Sequence, residues 1–293
     1  MMTNPILKRK VVITGSCGFI GSQLTTVLRS AGFDVWGIDR LTNDDPQVVQ
    51  ADFLDPEDTM RAFQKIGKPD VVIHLSALST GTKPPEGYTL ETVNITITRN
   101  ILQALDTVDQ FVYFSSITVY GEDGRVGFVK PDSELRPASL YGIGKKQCEE
   151  MVLARKFRST AICRPTPVYS EERMRNMQMR ACFPFTKTKI RIIPNPSYSM
   201  CHVSLACRTM MQILEESKSG ISIRNLADSN PYTQKEIAEK FSGGAWPVFT
   251  FLFWPFYGIL KCIPGKRSYQ LRCKYLKLFS SCLYSTEVFE SSH

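Results

Sequence analysis

A tyrosine and a lysine stand four residues apart in Tyr141-Gly142-Ile143-Gly144-Lys145. On a helix, side chains at that spacing share a face. A phenol, with a pKa of about 10, is a poor base at neutral pH. A neighbouring ammonium favours the phenolate and lowers that value. Tyr141 could then exchange a proton with a hydroxyl or a carbonyl. Upstream, the apolar run Gln110–Phe114 ends in Ser115-Ser116. A strand ending there would bring a hydroxyl to the same reacting oxygen. Tyr-x-x-x-Lys is common on surface helices, so its meaning depends on the elements that position it.

Those elements begin at the N-terminal end. Lys10–Thr14 reads as a buried strand and runs into Gly15-Ser16-Cys17-Gly18-Phe19-Ile20-Gly21. A helical stretch to Ala31 follows, then a second strand, Val35–Ile38, ending on Asp39. This order suits a dinucleotide. Gly15 allows a turn that a side chain would block, Gly18 lets backbone N–H groups approach a pyrophosphate, and Gly21 lets the helix sit close to the sheet. The helix N-terminus supplies unpaired donors and the positive dipole end. Asp39 can accept from both ribose hydroxyls and would repel a 2′-phosphate, which favours NAD. Arg40 keeps NADP as the alternative, because a guanidinium there would welcome the extra phosphate. The positive nicotinamide ring of such a cofactor would add to the effect of Lys145 on Tyr141, and Lys145 could also hold the ribose.

Strands and helices alternate through the first half. Val48–Phe53 reads as a short strand, Asp55-Pro56 as a helix start, and Asp70–Leu75 as an apolar strand. Glu91–Leu105 reads as a helix, Gln110–Phe114 as a strand, Ser139–Arg155 as a long helix and Thr160–Cys163 as one more strand. The pattern predicts an α/β, Rossmann-type, doubly wound parallel sheet with helices on both faces. From about Arg164 the rhythm breaks, with prolines at 165, 167, 184, 194 and 196. The expected division is a dinucleotide-binding domain over residues 1–165 and a smaller substrate-binding lobe over 166–293, some of whose elements return to the sheet. Thr233–Phe241 reads as a helix with a capping box.

The chain has 293 residues, a net charge of +8 and nine cysteines. None of the cysteines forms a C-x-x-C pair, and with three histidines a zinc site is not expected. Scattered cysteines in core positions fit a reducing cytosol, so a cytoplasmic location is expected. No apolar leader is expected before the first strand. No nucleic-acid motif accompanies the basic charge. Basic residues gather at Lys261, Lys266, Arg267, Arg272, Lys274 and Lys277, just after the apolar run Ala245–Leu260. That run is shorter than the ~20 residues needed to span a bilayer. It is expected to dock on the protein, and the alternative is peripheral membrane contact through 245–277.

The chain resembles the extended short-chain dehydrogenases/reductases, in the NAD-dependent epimerase/dehydratase branch. The resemblance rests on Thr14-Gly15-x-x-Gly18-Phe19-Ile20-Gly21, Asp52-Phe53, His74-Leu75-Ser76-Ala77, Asn94, Phe114-Ser115-Ser116-x-x-Val119-Tyr120-Gly121, Tyr141-x-x-x-Lys145 and Arg164-Pro165. It implies that Phe19 and Ile20 line the pyrophosphate turn and that Asp52 and Phe53 flank the adenine. Leu75, Ser76 and Ala77 would pass beneath the cofactor, with Asn94 a polar anchor behind it and Pro165 beside it. Ser116, Tyr141 and Lys145 match the catalytic hydroxyl, the base and its ribose-binding partner. The expected activity is NAD-dependent epimerisation of a nucleotide sugar through a transient keto intermediate. The alternative is an NAD(P)-dependent ketoreductase or dehydrogenase of a keto sugar or other carbonyl compound. Dehydratases of this family carry an Asp-Glu pair after the catalytic hydroxyl, where this chain has Ile117-Thr118. Pro167 replaces an asparagine expected to touch a sugar diphosphate. Arg173, Arg175, Arg180, Lys187, Lys189 and Arg191 are candidates for that contact. Family members often dimerise through two helices, here Asn94–Leu105 and Tyr141–Arg155, so a homodimer is expected.

Overall fold

The computed structural model describes residues 9–121, 127–183, 186–216, 218–241, 243–252 and 254–291, without the side chains at 266, 267, 270 and 274. The expected lack of a leader, Pro184 and Phe253 lie outside these residues. The first half alternates as expected: β1 (Lys10–Thr14), α1 (Phe19–Ser30), β2 (Asp34–Asp39), β3 (Val48–Gln50), α2 (Pro56–Ile66), β4 (Val71–His74), α3 (Leu90–Gln103) and β5 (Gln110–Phe114). A 3-10 turn, Ile117–Tyr120, leads to β6 (Phe128–Val129), α4 (Leu140–Ala154) and β7 (Ser159–Pro165).

The second half is more broken. It holds β8 (Val168–Tyr169), α5 (Arg175–Ala181), β9 (Ile190–Ile193), β10 (Ser197–Tyr198), β11 (Cys201–His202) and α6 (Val203–Glu216). Then come β12 (Gly220–Leu226), β13 (Tyr232–Thr233), α7 (Gln234–Glu239), β14 (Trp246–Phe249), α8 (Trp254–Cys262), α9 (Lys266–Phe279), β15 (Leu283–Tyr284) and β16 (Val288–Ser291).

Eight strands form the main sheet in the order β16-β12-β7-β5-β4-β1-β2-β3. All neighbours are parallel except β16, which runs antiparallel to β12 along the edge. The strand order reverses between β1 and β4, the switch point where open sheets of this kind bind ligands beyond the strand C-termini. Alternation along each strand serves both faces. Val11 and Ile13 pack under α1 and α6, while Val12, Ile38 and Val72 pack under α2, α3 and α4. The lobe has small cores of its own, one around Tyr169, Met177, Tyr198 and Ile237 and another around Ile190, Tyr275 and Phe279.

Three details differ from the sequence reading. The strand from Val48 stops at Gln50, because the Asp52 carboxylate accepts from Leu54 N at 2.9 Å and turns the chain. The strand read as Thr160–Cys163 runs on through Pro165, paired along its length with β12. The elements of 166–293 that return to the sheet are α6, β12 and β16, none of which the sequence reading placed.

Candidate active site

The glycine turn lies at the C-terminal end of β1. Gly15 has φ +78° and donates to Ile38 O at 2.8 Å, tying the turn to β2. A Cβ added to Gly21 would lie 2.1 Å from Gly15 O, so only glycine lets α1 start this close to the strand. Gly18 caps α1 with no side-chain hydrogen bond, leaving the first-turn N–H groups to a ligand. Phe19 and Ile20 open that helix. Asp39 is buried at the tip of β2, its Oδ2 accepting from Cys17 N at 2.9 Å and its Oδ1 from Leu41 N at 3.0 Å. The carboxylate therefore stands fixed beside the turn. Arg40 follows it with an exposed side chain.

The chain after β4 passes close beside this turn. Leu75 N donates to Thr14 O at 3.1 Å, Ser76 N donates to Thr14 Oγ1 at 3.4 Å, and Ala77 follows, partly exposed. Asn94 is buried; its Oδ1 accepts from Leu78 N at 2.7 Å and its Nδ2 donates to Leu78 O and Leu90 O, both at 3.1 Å. It fixes the 75–78 strip from behind. His74 sits between the Thr14 and Thr98 hydroxyls, and burial, then the Lys145 charge, holds its pKa well below the ordinary value. It is a neutral core residue. Asp52 is exposed, whereas the Phe53 ring is buried in the core and its carbonyl accepts from Asn100 Nδ2 at 2.8 Å.

Tyr141 and Lys145 lie on α4, which Ser139 caps through Gly142 N. Lys145 is 2% exposed, and its Nζ donates to Phe114 O at 2.7 Å, at the end of β5. The same ammonium lies 5.9 Å from the centroid of the Tyr141 ring. Gly142 completes the approach: a Cβ there would lie 2.7 Å from Thr118 O, in the 3-10 turn that follows Ser116. Ser116 caps that turn, its Oγ accepting from Thr118 N at 3.2 Å and from Thr118 Oγ1 at 3.0 Å. With both acceptor positions used, the Ser116 hydroxyl hydrogen is what it has left to offer.

The electrostatics differ from the sequence reading in one respect. Burial pushes the Tyr141 phenol up to about 12 and the Lys145 ammonium down to about 8. In the protein alone, burial and then Cys148 both raise the phenol, so lowering it requires positive charge in the cleft.

Behind the pair lies a buried ion pair. Arg164 Nη2 meets Glu149 Oε2 at 2.7 Å, with both side chains 3% exposed. Arg164 Nη1 also donates to Tyr120 OH at 2.7 Å and Pro131 O at 2.8 Å, and Tyr120 OH donates to Asn225 Oδ1 at 2.7 Å. Burial alone would lower the guanidinium pKa, and the contacts with Glu149 and Tyr120 more than offset it. This network joins α4, β7, the 3-10 turn and β12. Pro165 closes β7, partly exposed, and Pro167 O accepts from Cys201 N at 3.2 Å.

Among the lobe cations, Arg173 has an exposed side chain whose guanidinium carbon lies 4.9 Å from the Phe19 ring centroid, at the glycine turn. Arg180 instead bonds Lys277 O and lies over the Tyr198 ring, and Lys189 bonds the carbonyls of Phe241 and Gly243.

The model of the NAD-dependent epimerase/dehydratase family matches residues 11–225. The chain belongs to that family. Over 146 residues it is 33% identical to ADP-L-glycero-D-manno-heptose-6-epimerase of Cupriavidus pinatubonensis, covering 46% of this chain and 43% of that protein. Over 161 residues it is 29% identical to UDP-glucuronate 4-epimerase 1 of Arabidopsis thaliana, covering 48% of this chain and 37% of that one. The chain thus spans less than half the length of these curated relatives. The Bordetella bronchiseptica enzyme WbmH, solved in complex with NAD+, shares the fold with a TM-score of 0.67 at 21% identity, covering 82% of this chain and 85% of that one.

For an NAD-dependent family, the cradle at Gly15 and Gly21, the uncapped α1 and the fixed Asp39 suit a dinucleotide. The sequence reading missed Thr118, which aims Ser116, and the close approach at Gly142. The only sequence signal for either was the glycine inside Tyr-Gly-x-x-Lys and the hydroxyl two residues after Ser116.

Proposed function

We propose that this protein is an NAD-dependent epimerase of a nucleotide sugar. The observation that carries the proposal is the joining of α4 to the end of β5. Lys145 Nζ bonds Phe114 O, Gly142 abuts the turn that Ser116 caps, and so Tyr141 and Ser116 share one site.

Gly15, Gly18, Phe19, Ile20 and Gly21 hold the pyrophosphate. Asp39 accepts from the adenosine ribose and selects NAD over NADP, with Arg40 beside it in solvent. Asp52 and the backbone of Phe53 would flank the adenine, the strip Leu75–Ala77 would pass beneath the cofactor with Asn94 behind that strip, and Pro165 would lie beside it. What bound NAD supplies is a reversible store for one hydride, together with positive charge on its ring. Tyr141, as phenolate, would take the proton of the sugar hydroxyl whose carbon is oxidised to a ketone. Ser116 donates to the same oxygen throughout. Lys145 holds the ribose and keeps positive charge beside the phenolate. Tyr141 would return that proton to the oxygen when the turned ketone is reduced on its other face, so the stereocentre would be inverted with no net redox change. Ile117 and Thr118 place no carboxylate after Ser116, which argues against loss of water.

Pro167 favours a second reading, a net ketoreductase, because it offers no side-chain amide to a sugar diphosphate. Incubation with NAD and a panel of ADP- and UDP-sugars separates the two. An epimerase converts a sugar nucleotide to its epimer without accumulating NADH, whereas steady consumption of NADH with a carbonyl substrate identifies the reductase. Tyr141→Phe should lower turnover at least ~100-fold, the lower end for a general acid–base group, while NAD binding by titration calorimetry stays within about twofold. Turnover close to the parent protein's would remove Tyr141 from the mechanism.

A further inference from the structure

The C-terminal segment is docked on one side and bare on the other. β14 pairs with β9, and α8 packs on α9, so Val248 and Tyr257 join Ile190, Ile192, Tyr275 and Phe279 in a small core. The same segment exposes Trp246 at 72%, Phe251 at 64%, Leu252 at 62%, Ile259 at 58% and Phe256 at 53%, and Trp254, whose ring packs on Tyr257 and Tyr275, is exposed as well. Scattered exposed apolar residues are ordinary, but these six within the fourteen residues from Trp246 to Ile259 suit a contact surface.

The charge around this face identifies the partner. No acidic residue stands between Glu239 and Glu287 in the sequence, α8 carries exposed Lys261 beside the apolar face, and the sequence of α9, which packs on α8, is basic. A rim of one sign repels a second copy of the same face and attracts an anionic one. Tryptophans and aliphatic residues bordered by lysine and arginine suit the boundary between acyl chains and anionic headgroups. No helix among the described residues is long and apolar enough to cross a membrane, so the contact is peripheral.

We propose that the face formed by Trp246, Phe251, Leu252, Trp254, Phe256 and Ile259 seats this enzyme on an anionic lipid bilayer. The bilayer receives the apolar side chains at headgroup depth, and Lys261 meets its phosphates. The surface is independent of the catalytic residues, so its failure would leave the epimerase reading untouched.

The test is co-sedimentation of the full chain with vesicles of phosphatidylcholine alone or mixed with phosphatidylserine. At least tenfold tighter binding to the mixed vesicles is expected, weakening as salt rises and accompanied by a blue shift of tryptophan emission. The combined variant Trp246→Ser/Phe251→Ser/Phe256→Ser should lose at least tenfold in binding with an unchanged melting temperature. Lys261→Glu, which leaves the apolar face intact, should weaken binding to mixed vesicles only. Equal affinity for both vesicle types, or a triple variant that binds like the parent, overturns the proposal. So does a protein that ignores vesicles but forms a dimer lost in the triple variant, since a second copy would then be the occupant.

Discussion

At the scale of single residues, the site is set by a competition between burial and charge at Tyr141. Burial holds the phenol near 12, too high to act as a base at neutral pH, while Lys145, itself lowered to about 8 by burial, keeps most of its charge at pH 7. A group whose pKa is raised by burial falls again when positive charge enters its surroundings. NAD carries such a charge on its oxidised ring. Adding NAD should therefore move the phenolate titration of Tyr141 downward, read as phenolate absorbance after subtraction of the Tyr141→Phe protein. NADH, with a neutral ring, should move it less. Lys145→Met should slow turnover, because it removes the ammonium beside Tyr141 and the bond to Phe114 O. A titration midpoint indifferent to the oxidation state of the cofactor would contradict this account. The glycine turn, Asp39, Tyr141, Lys145 and Ser116 were all legible in the sequence, because each is a residue type at a fixed spacing. The direction of the phenol shift was not, because desolvation depends on what packs around the ring.

At the scale of elements, α4 is the helix that carries Tyr141 and Lys145, the residues proposed for the chemistry. Three ties hold it: Lys145 to the end of β5, Gly142 against the 3-10 turn, and Glu149 to Arg164 of β7. The third is a buried ion pair whose removal on one side leaves an uncompensated charge. Glu149→Ala should cost about 3–5 kcal/mol of stability, measured by chemical denaturation, and should lower turnover in the protein that remains folded. Arg164→Met/Glu149→Leu should recover much of that stability, since it removes both charges together. The alternating strands and helices of the first half could be read from apolar runs and caps. The later elements could not. β9 and β14 have four residues each, too few for an alternation to stand out before their pairing is known, and α6 reads as a helix only once Ala206, Met210, Ile213 and Leu214 are seen packed with Val11, Leu24 and Leu28. Asp52 shows the same limit in reverse: an apolar run suggested a strand through Phe53, and a carboxylate bonded to its own backbone ended it.

At the scale of the whole molecule, the question is which faces meet other molecules. α3 and α4 pack side by side under the sheet, and their outer surface carries partly exposed Ile95 and Ile143 with exposed Gln147 and Glu150. Two copies meeting there would bring α4 of each against the other and would stiffen the helix that carries Tyr141. We therefore expect light scattering to give twice the chain mass of 33.2 kDa. Gln147→Arg, which would face its own symmetry mate across a two-fold contact, should weaken that dimer by about tenfold, or ~1.4 kcal/mol. The aromatic face on β14 and α8 lies on the lobe rather than on this helical pair, so its substitution should leave the dimer intact. A dimer that survives Gln147→Arg unchanged would move the contact away from α3 and α4. A dimer indifferent to both changes would place it on neither face.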